Sequence, residues 1–518
     1  MSINKTIAKN TMFLYFRMMI TMLVSLYTSR VVLQVLGEND YGLYGVVGGV
    51  VGMLSFLNTA LSSGSSRFLV FELGTGNFEK LRKTFSTILS LHVALAVVIV
   101  ILAETIGLWF LYNKANIPPD RMHAAVWVYH LSVLTTVLSI TQVPYNASII
   151  SHEKVSIYAY TSILEVLAKL GVVFLLKIGN IDKLVLYAIL LCFVNAGMMI
   201  FYRLYCNLKF KETKYKPVFD KSIMKSVAGY SGWNLISGLS TVFNKHGMVI
   251  ITNAFFGPAI VAARIISLDV NTAALRFVSN FRVAANPQIV KKYASGDYSG
   301  SKQLLLDSSK LSFYLMFLIG FPIILLAEPL LKLWLVTVPE YSVIFLQLII
   351  VKNLFEVIDE SFHTALYAKG RLKENVLLNQ LVRIMQFPIV YLLFKAGYSP
   401  VAMSYVSIVA IATICLIIKP IVLCKIVDYT LRDIMSVFSS CLKVSIAAAP
   451  IPVLLNYYLD KNLVGFFVVC VVSIICTLIV VFYLGIDREM RSKIVCFAKD
   501  KLYKAARYYK MPINESSE

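Results

Sequence analysis

The chain has 518 residues, 58% of them hydrophobic and only 15% charged, with a formal net charge of +21. Soluble domains carry nearer a quarter charged residues, and a soluble core of this length would spread its charge along every helix, so that class is excluded. Nucleic-acid binding is excluded as well, because the Lys and Arg residues gather in alternate gaps between apolar runs instead of forming a basic groove with exposed aromatics.

A membrane helix needs roughly 20 mostly apolar residues. Fourteen stretches meet that need, centred near Leu23, Met53, Val97, Leu134, Val166, Cys192, Phe243, Val270, Met316, Ile350, Ile384, Val409, Pro450 and Val472. The first carries Arg17 and Arg30 and is longer than the apolar core of a cleavable signal. Short polar turns separate the stretches, as at Gly37-Glu38-Asn39-Asp40. The expected fold is therefore all-α and polytopic.

Charge sets the orientation. With the N-terminus inside, the inner gaps hold Arg67, Lys80, Arg82 and Lys83, then Lys209 to Lys221, then Lys291, Lys292 and Lys302, and a tail rich in Lys and Arg after Leu484. The outer gaps hold little beyond Lys114, Arg121, Lys177, Lys183, Lys332, Lys395 and Lys461. This asymmetry predicts that both termini are cytoplasmic, which an even helix count requires.

The chain also repeats itself. Displaced by about 220 residues, Gly37 falls on Gly257, and Gly76-Asn77-Phe78 falls on Gly296-Asp297-Tyr298. Displaced by about 218, Ala147 falls on Ala365, Lys177 on Lys395 and Gly179 on Gly397. Two six-helix lobes of like orientation follow, related by a pseudo-twofold axis along the membrane normal. The predicted organisation is an N-terminal lobe over 1–207, a cytoplasmic connector over 208–222, a C-terminal lobe over 223–425, and two further helices with the basic tail over 426–518.

Charge within a membrane segment costs roughly 2.5–3.5 kcal/mol on insertion scales, so such residues face a cavity or a partner. In the first helix these are Arg17 and Arg30, the latter within reach of the interface by snorkelling. In the fifth, Glu165 and Lys169 form a self-satisfying pair at i,i+4. In the seventh, Asn234, Ser237, Thr241 and Lys245 recur at spacings of three and four, one face of a helix. The eighth carries Arg264, Asp269, Arg276 and Arg282, with Asp269, Thr272, Arg276 and Asn280 on one face; either Asp269 pairs with an arginine or it tunes a cationic wall. The tenth carries Lys352, Glu356, Asp359, Glu360 and His363, which read as a cation relay or as a gate closed by salt bridges.

Other residues have plainer roles. Gly45, Gly48, Gly49 and Gly52 allow close helix approach, and Trp109, Trp127 and Trp334 suit the membrane interface. The eight cysteines show no ligand spacing and read as buried small hydrophobes. There is no P-loop, no metal motif and no large extramembrane loop for an enzyme, so no cofactor is expected and the chain is not read as an enzyme. Energy would come from an ion gradient (H+ or Na+), from the membrane potential or from consumption of the product.

The run Asn10-Thr11, Arg17, Ser29-Arg30-Val31-Val32-Leu33, Leu36-Gly37 and Asp40-Tyr41-Gly42-Leu43-Tyr44 resembles the opening of bacterial polysaccharide-biosynthesis membrane proteins. These are the Wzx-type O-antigen and capsule flippases of the multidrug/oligosaccharidyl-lipid/polysaccharide (MOP) exporter superfamily. The resemblance extends over the whole chain in helix count, repeat and loop pattern. It implies two six-helix lobes working by alternating access in the bacterial inner membrane. The implied substrate is a polyprenyl-pyrophosphate-linked oligosaccharide, moved from the cytoplasmic to the periplasmic leaflet. Membrane lipids and polysaccharide polymerase or assembly proteins are the implied partners. In lipid II flippases of this superfamily, charged residues of helices 1, 2 and 8 line the cavity. Arg17 and the arginines of the eighth helix are the positional counterparts here, while the second helix departs from the pattern, its Arg67 lying at the inner end. Cationic walls suit an anionic pyrophosphate in a low-dielectric slab. The alternative within the superfamily is a multidrug/cation antiporter, which calls for a carboxylate in the N-terminal lobe; the first helix has none in its apolar run.

Overall fold

In the computed structural model the backbone is described for residues 3–496 except 55, 153, 155, 179–180, 217, 219, 371–372, 428, 461, 489–490 and 493–494. Side chains are described from residue 17, leaving out in addition 56–57, 59–60, 63, 156, 158–159, 228–237, 284 and 373–377. The described residues form helices without strands. In chain order these are α1 (3–36), α2 (38–53 and Phe56–Thr75), α3 (Phe78–Asn113), α4 (Pro119–Ser151), α5 (Ser156–Leu175), α6 (Lys183–Lys209) and α7 (221–256). They continue as α8 (Pro258–Ala294), α9 (Tyr298–Leu325), α10 (Ser342–Lys369), α11 (Lys373–Lys395), α12 (Ala402–Ile426), α13 (Leu431–Tyr458) and α14 (Leu463–Gly485). Among the described residues, nine helices are long and apolar enough to cross a membrane. Apolar side chains such as Phe193 and Val464, each 71% exposed, stand on the outside, where lipid removes the cost that water would impose. The chain is thus a multi-pass α-helical membrane protein.

The repeat is written in the backbone. α1 turns into α2 at Gly37 (φ 77°, ψ 172°), and α7 turns into α8 at Gly257 (φ 80°, ψ 179°). Both φ values lie where a Cβ is strongly disfavoured, so both turns call for glycine. The second match behaves alike: Gly76 and Gly296 have φ of 71° and 84°, and each precedes a capped helix. The Asn77 side chain accepts from the Lys80 N–H, and the Asp297 side chain from the Gly300 N–H. Gly397 also has positive φ (87°), while its counterpart Gly179 lies outside the described residues.

By chain contacts the molecule divides into two compact units. The first comprises Met1–Arg276, Leu330–Lys352 and Leu372–Ile418. Its core has several centres: Leu43, Val47, Val50 and Val51 of α2 with Val128 and Tyr129 of α4; Phe85 and Ile88 of α3 with Tyr145 and Ile149; and Met248, Ile251, Phe345, Val390 and Phe394. The segment 208–222 is fastened rather than loose. Lys83 pairs with Asp220 at 2.7 Å, Ser90 meets the Tyr215 hydroxyl at 3.0 Å, and His152 meets Glu212 at 2.5 Å while stacking on Phe210.

The second unit comprises Phe277–Pro329, Asn353–Arg371 and Lys419–Glu518. Phe313, Phe317 and Phe321 stack along α9, with centroids 6.1 and 4.9 Å apart. The Tyr314 hydroxyl meets Ser440 of α13 at 2.7 Å and donates to the Gly485 carbonyl at 3.0 Å, tying α9 to the last two helices.

Candidate functional site

In the first unit the glycines of α2 set the geometry. A Cβ on Gly42 would lie 1.8 Å from the Pro258 carbonyl oxygen, one on Gly45 would lie 2.1 Å from Ile265, and one on Gly52 would lie 2.5 Å from the His246 ring. The bare backbone of α2 therefore packs directly on α7 and α8, the small-residue contact that membrane helices favour. That approach brings Tyr41 of α2 to Asp269 of α8: the hydroxyl donates to Oδ2 at 3.4 Å, and Ser29 of α1 bonds the same carboxylate.

Beside this carboxylate is a chamber of about 210 Å³. Met22, Ser25, Leu26 and Ser29 of α1 form one wall, and Asp269, Thr272, Ala273 and Arg276 of α8 form the other. Each set runs i, i+3, i+4, i+7, so each helix presents a single stripe. The Arg276 side chain is exposed, while Asp269 is half-buried. Trp334 braces the α1 wall, its Nε1–H donating to the Leu26 carbonyl at 3.0 Å. Its indole is thus engaged with a helix backbone, beyond the interfacial role expected of it.

Other expected site residues lie elsewhere. Arg17 and Arg30 are half-buried on α1 but do not line the chamber. Arg264 points its guanidinium at the Met403 sulfur, at 2.9 Å. Thr241 and Lys245 are exposed on α7 yet are not chamber residues. Lys245 sits in a π-helical turn, Phe243–Gly247, which interrupts the 3.6-residue stripe expected of that helix. The side chain of Asn234 lies outside the described residues. Asp269 takes hydroxyl partners, so the observed environment is not the simple arginine pair weighed as one possibility.

In the second unit two α10 carboxylates are met by cations. Asp359 pairs with Lys419 of α12 at 2.8 Å, and both side chains are buried. Glu360 pairs with Arg282 of α8. Glu356 is half-buried, and His363 lines a separate groove against the end of α8. The Glu165–Lys169 pair of α5 forms as expected, at 2.6 Å. Among the described residues no cluster of His, Cys, Asp and Glu is arranged to hold a metal ion.

Two features escaped the sequence reading. Lys419 carried a signal, a cation set between the apolar stretches of α12 before and after it. The other is a reciprocal amide bridge: the Asn116 N–H donates to Asn253 Oδ1 at 2.9 Å, and Asn253 Nδ2 donates back to the Asn116 carbonyl at 3.1 Å. Asn253 is fully buried, and the bridge ties the end of α7 to the loop after α3.

Comparison with known proteins places the fold. No protein-family model and no curated protein matches the sequence significantly. Among solved structures, the chain is similar to the lipid II flippase MurJ in an inward closed conformation, with a TM-score of 0.69 and 13% identity over 90% of this chain and 97% of that one. It is also similar to an inward-facing multidrug resistance MATE family transporter of the MOP superfamily (TM-score 0.62, 14% identity, 82% of this chain and 96% of that one). A MOP superfamily transporter from Pyrococcus furiosus gives a TM-score of 0.56 at 15% identity over 84% of this chain and 96% of that one. The chain therefore has the fold of MOP superfamily transporters.

Proposed function

We propose that the protein is a flippase for a polyprenyl-pyrophosphate-linked oligosaccharide, an O-antigen or capsule repeat unit, carried from the cytoplasmic to the periplasmic leaflet of a bacterial inner membrane. The observation that carries this reading is the α1–α8 chamber, where the exposed Arg276 shares a wall with the hydroxyls of Ser25, Ser29 and Thr272. A guanidinium in such a site lowers the cost of bringing a pyrophosphate off the headgroup region, and Ser25, Ser29 and Thr272 can hydrogen-bond sugar or phosphate oxygens. The similarity to a lipid II flippase over 90% of the chain supports a lipid-linked substrate, and the basic gaps support cytoplasmic termini. Lys245, Thr241 and Arg264 extend the cationic path along α7 and α8, with Arg17 and Arg30 near its ends. Glu356, Glu360 and His363 serve gating or ion coupling, the Glu360–Arg282 pair opening and closing with the cycle, while the buried Asp359–Lys419 pair anchors them.

One observation favours the antiporter as a second reading: Asp269, although on the eighth helix and not in the N-terminal lobe, is a carboxylate at the edge of a chamber, in a fold shared with MATE transporters. The deciding experiment reconstitutes the protein in liposomes with a fluorescent undecaprenyl-pyrophosphate oligosaccharide and follows leaflet exposure. Movement that Arg276→Ala slows at least about tenfold, with the protein still folded, is the expected result. No movement, together with gradient-driven export of an organic cation that Asp269→Asn abolishes, would replace the flippase by the antiporter.

A further inference from the structure

The second unit contains a groove of about 730 Å³ that shares His363 alone with the residues proposed for transport. Val283, Asn286, Pro287, Val290, Lys291 and Ala294 of α8 form one side, and His363, Thr364 and Tyr367 of α10 the other. Its flank is greasy and open, with Val283 71% and Tyr367 60% exposed. Its polar end carries a lysine, an imidazole and an amide, and no Asp or Glu is among the lining residues.

The neighbouring charges are otherwise engaged. Arg282 is held by Glu360, Lys419 by Asp359, and Lys292 by Asp297 at 2.7 Å. Among the described lining residues the positive charge offered to a ligand is that of Lys291, and His363 and Asn286 add hydrogen-bonding groups. Pro287 adds an acceptor, because a proline inside a helix has no N–H to give the carbonyl four residues earlier, that of Val283. A ligand that fits has an anionic group for Lys291, a hydroxyl donor for that carbonyl, and apolar chains to lie along Val283, Val290 and Tyr367.

We propose that this groove binds an anionic glycerophospholipid of the phosphatidylglycerol class, phosphate on Lys291 and acyl chains along the Val283–Tyr367 flank. The placement in the cytoplasmic leaflet rests on the orientation adopted above; the binding itself does not depend on the transported substrate. Lipid recognition by basic residues near a membrane surface contributes about 1 kcal/mol per cation, so Lys291 is worth about fivefold in affinity.

The test is binding, read apart from transport. Purified full-length protein is titrated with short-chain phosphatidylglycerol and phosphatidylcholine and followed by native mass spectrometry and thermal shift. The expected result is tighter binding of phosphatidylglycerol and loss of about fivefold in Lys291→Gln, while Tyr367→Asp weakens both lipids. Lys291 is exposed, so its substitution leaves the fold intact. Equal affinity for the two lipids, or an unchanged preference in the Lys291→Gln/His363→Gln double variant, overturns the proposal. So does undecaprenyl phosphate displacing phosphatidylglycerol at far lower concentration, which would assign the groove to the carrier lipid.

Discussion

Asp269 and Asp359 are both aspartates on helices that read as membrane-embedded, and the molecule treats them in opposite ways. Asp269 is met by the hydroxyls of Tyr41 and Ser29 beside an open chamber. Asp359 is met by the ammonium of Lys419, with both side chains almost sealed from solvent. Hydroxyl partners leave a carboxylate without a counter-ion and able to meet a ligand; a dry ion pair is already neutralised. A charged residue in an apolar run is thus a site candidate only after its opposite number is known.

The comparison breaks most visibly at the dry pair. Lys419→Met takes the ammonium partner from a buried carboxylate and should cost about 3–5 kcal/mol, while Lys419→Met with Asp359→Leu should recover most of it. Unfolding in detergent measures both; a single variant as stable as the parent would end the distinction. At the chamber the effect should fall on transport instead. Arg276→Ala should lower the flipping rate about 10- to 100-fold, the equivalent of a charged hydrogen bond worth about 1.5–3 kcal/mol, with stability within about 0.5 kcal/mol. A loss of fold as large as that of Lys419→Met would place Arg276 in the structural class.

A third variant sharpens why the chamber exists. Gly42→Ala pushes a methyl against the Pro258 carbonyl and should cost about 1–3 kcal/mol, whereas Gly48→Ala, with nothing within 4 Å, should be neutral. The smallest expected effect belongs to an ion pair outside the spans. Arg121 bridges Asp182 (2.6 Å) and Asp40 (2.5 Å). Burial works against the Asp182 charge, but hydrogen bonds from Arg121 and from the Val185 and Leu184 N–H groups hold its carboxyl below the usual range. Its folded pKa is depressed, so its contribution is present above the unfolded value of about 3.9 and fades as pH falls through the folded one. Acidification from pH 5 to pH 3 should destabilise the parent more than Asp182→Asn, by no more than about 1 kcal/mol for so exposed a pair.

Much of the fold was legible because apolar length and positive-φ glycine are local signals. Gly37 and Gly257, matched by sliding the chain on itself, adopt nearly the same torsions. The Asp269–Thr272–Arg276 stripe was legible for the same reason, since a regular helix keeps spacing and face together. What one chain cannot display is which distant residue lies opposite. Tyr41 with Asp269, Asn116 with Asn253, and Lys419 with Asp359 are separated by 228, 137 and 60 positions, and nothing in their local sequence couples them. At Lys245 the α7 spacing runs into a π-helical turn, which spacing alone does not announce.

That irregularity acts as a phase correction. An α-helix advances about 100° per residue, so one residue too many would clock everything downstream to a different compass bearing. The wide turn at Phe243–Gly247 absorbs the surplus, and Met248–Phe256 resumes as regular helix with Asn253 aimed at Asn116 and Gly257 in place for the turn into α8. The azimuth of α8, and with it the direction in which Asp269 and Arg276 look, is set by how many residues precede it as much as by which residues they are.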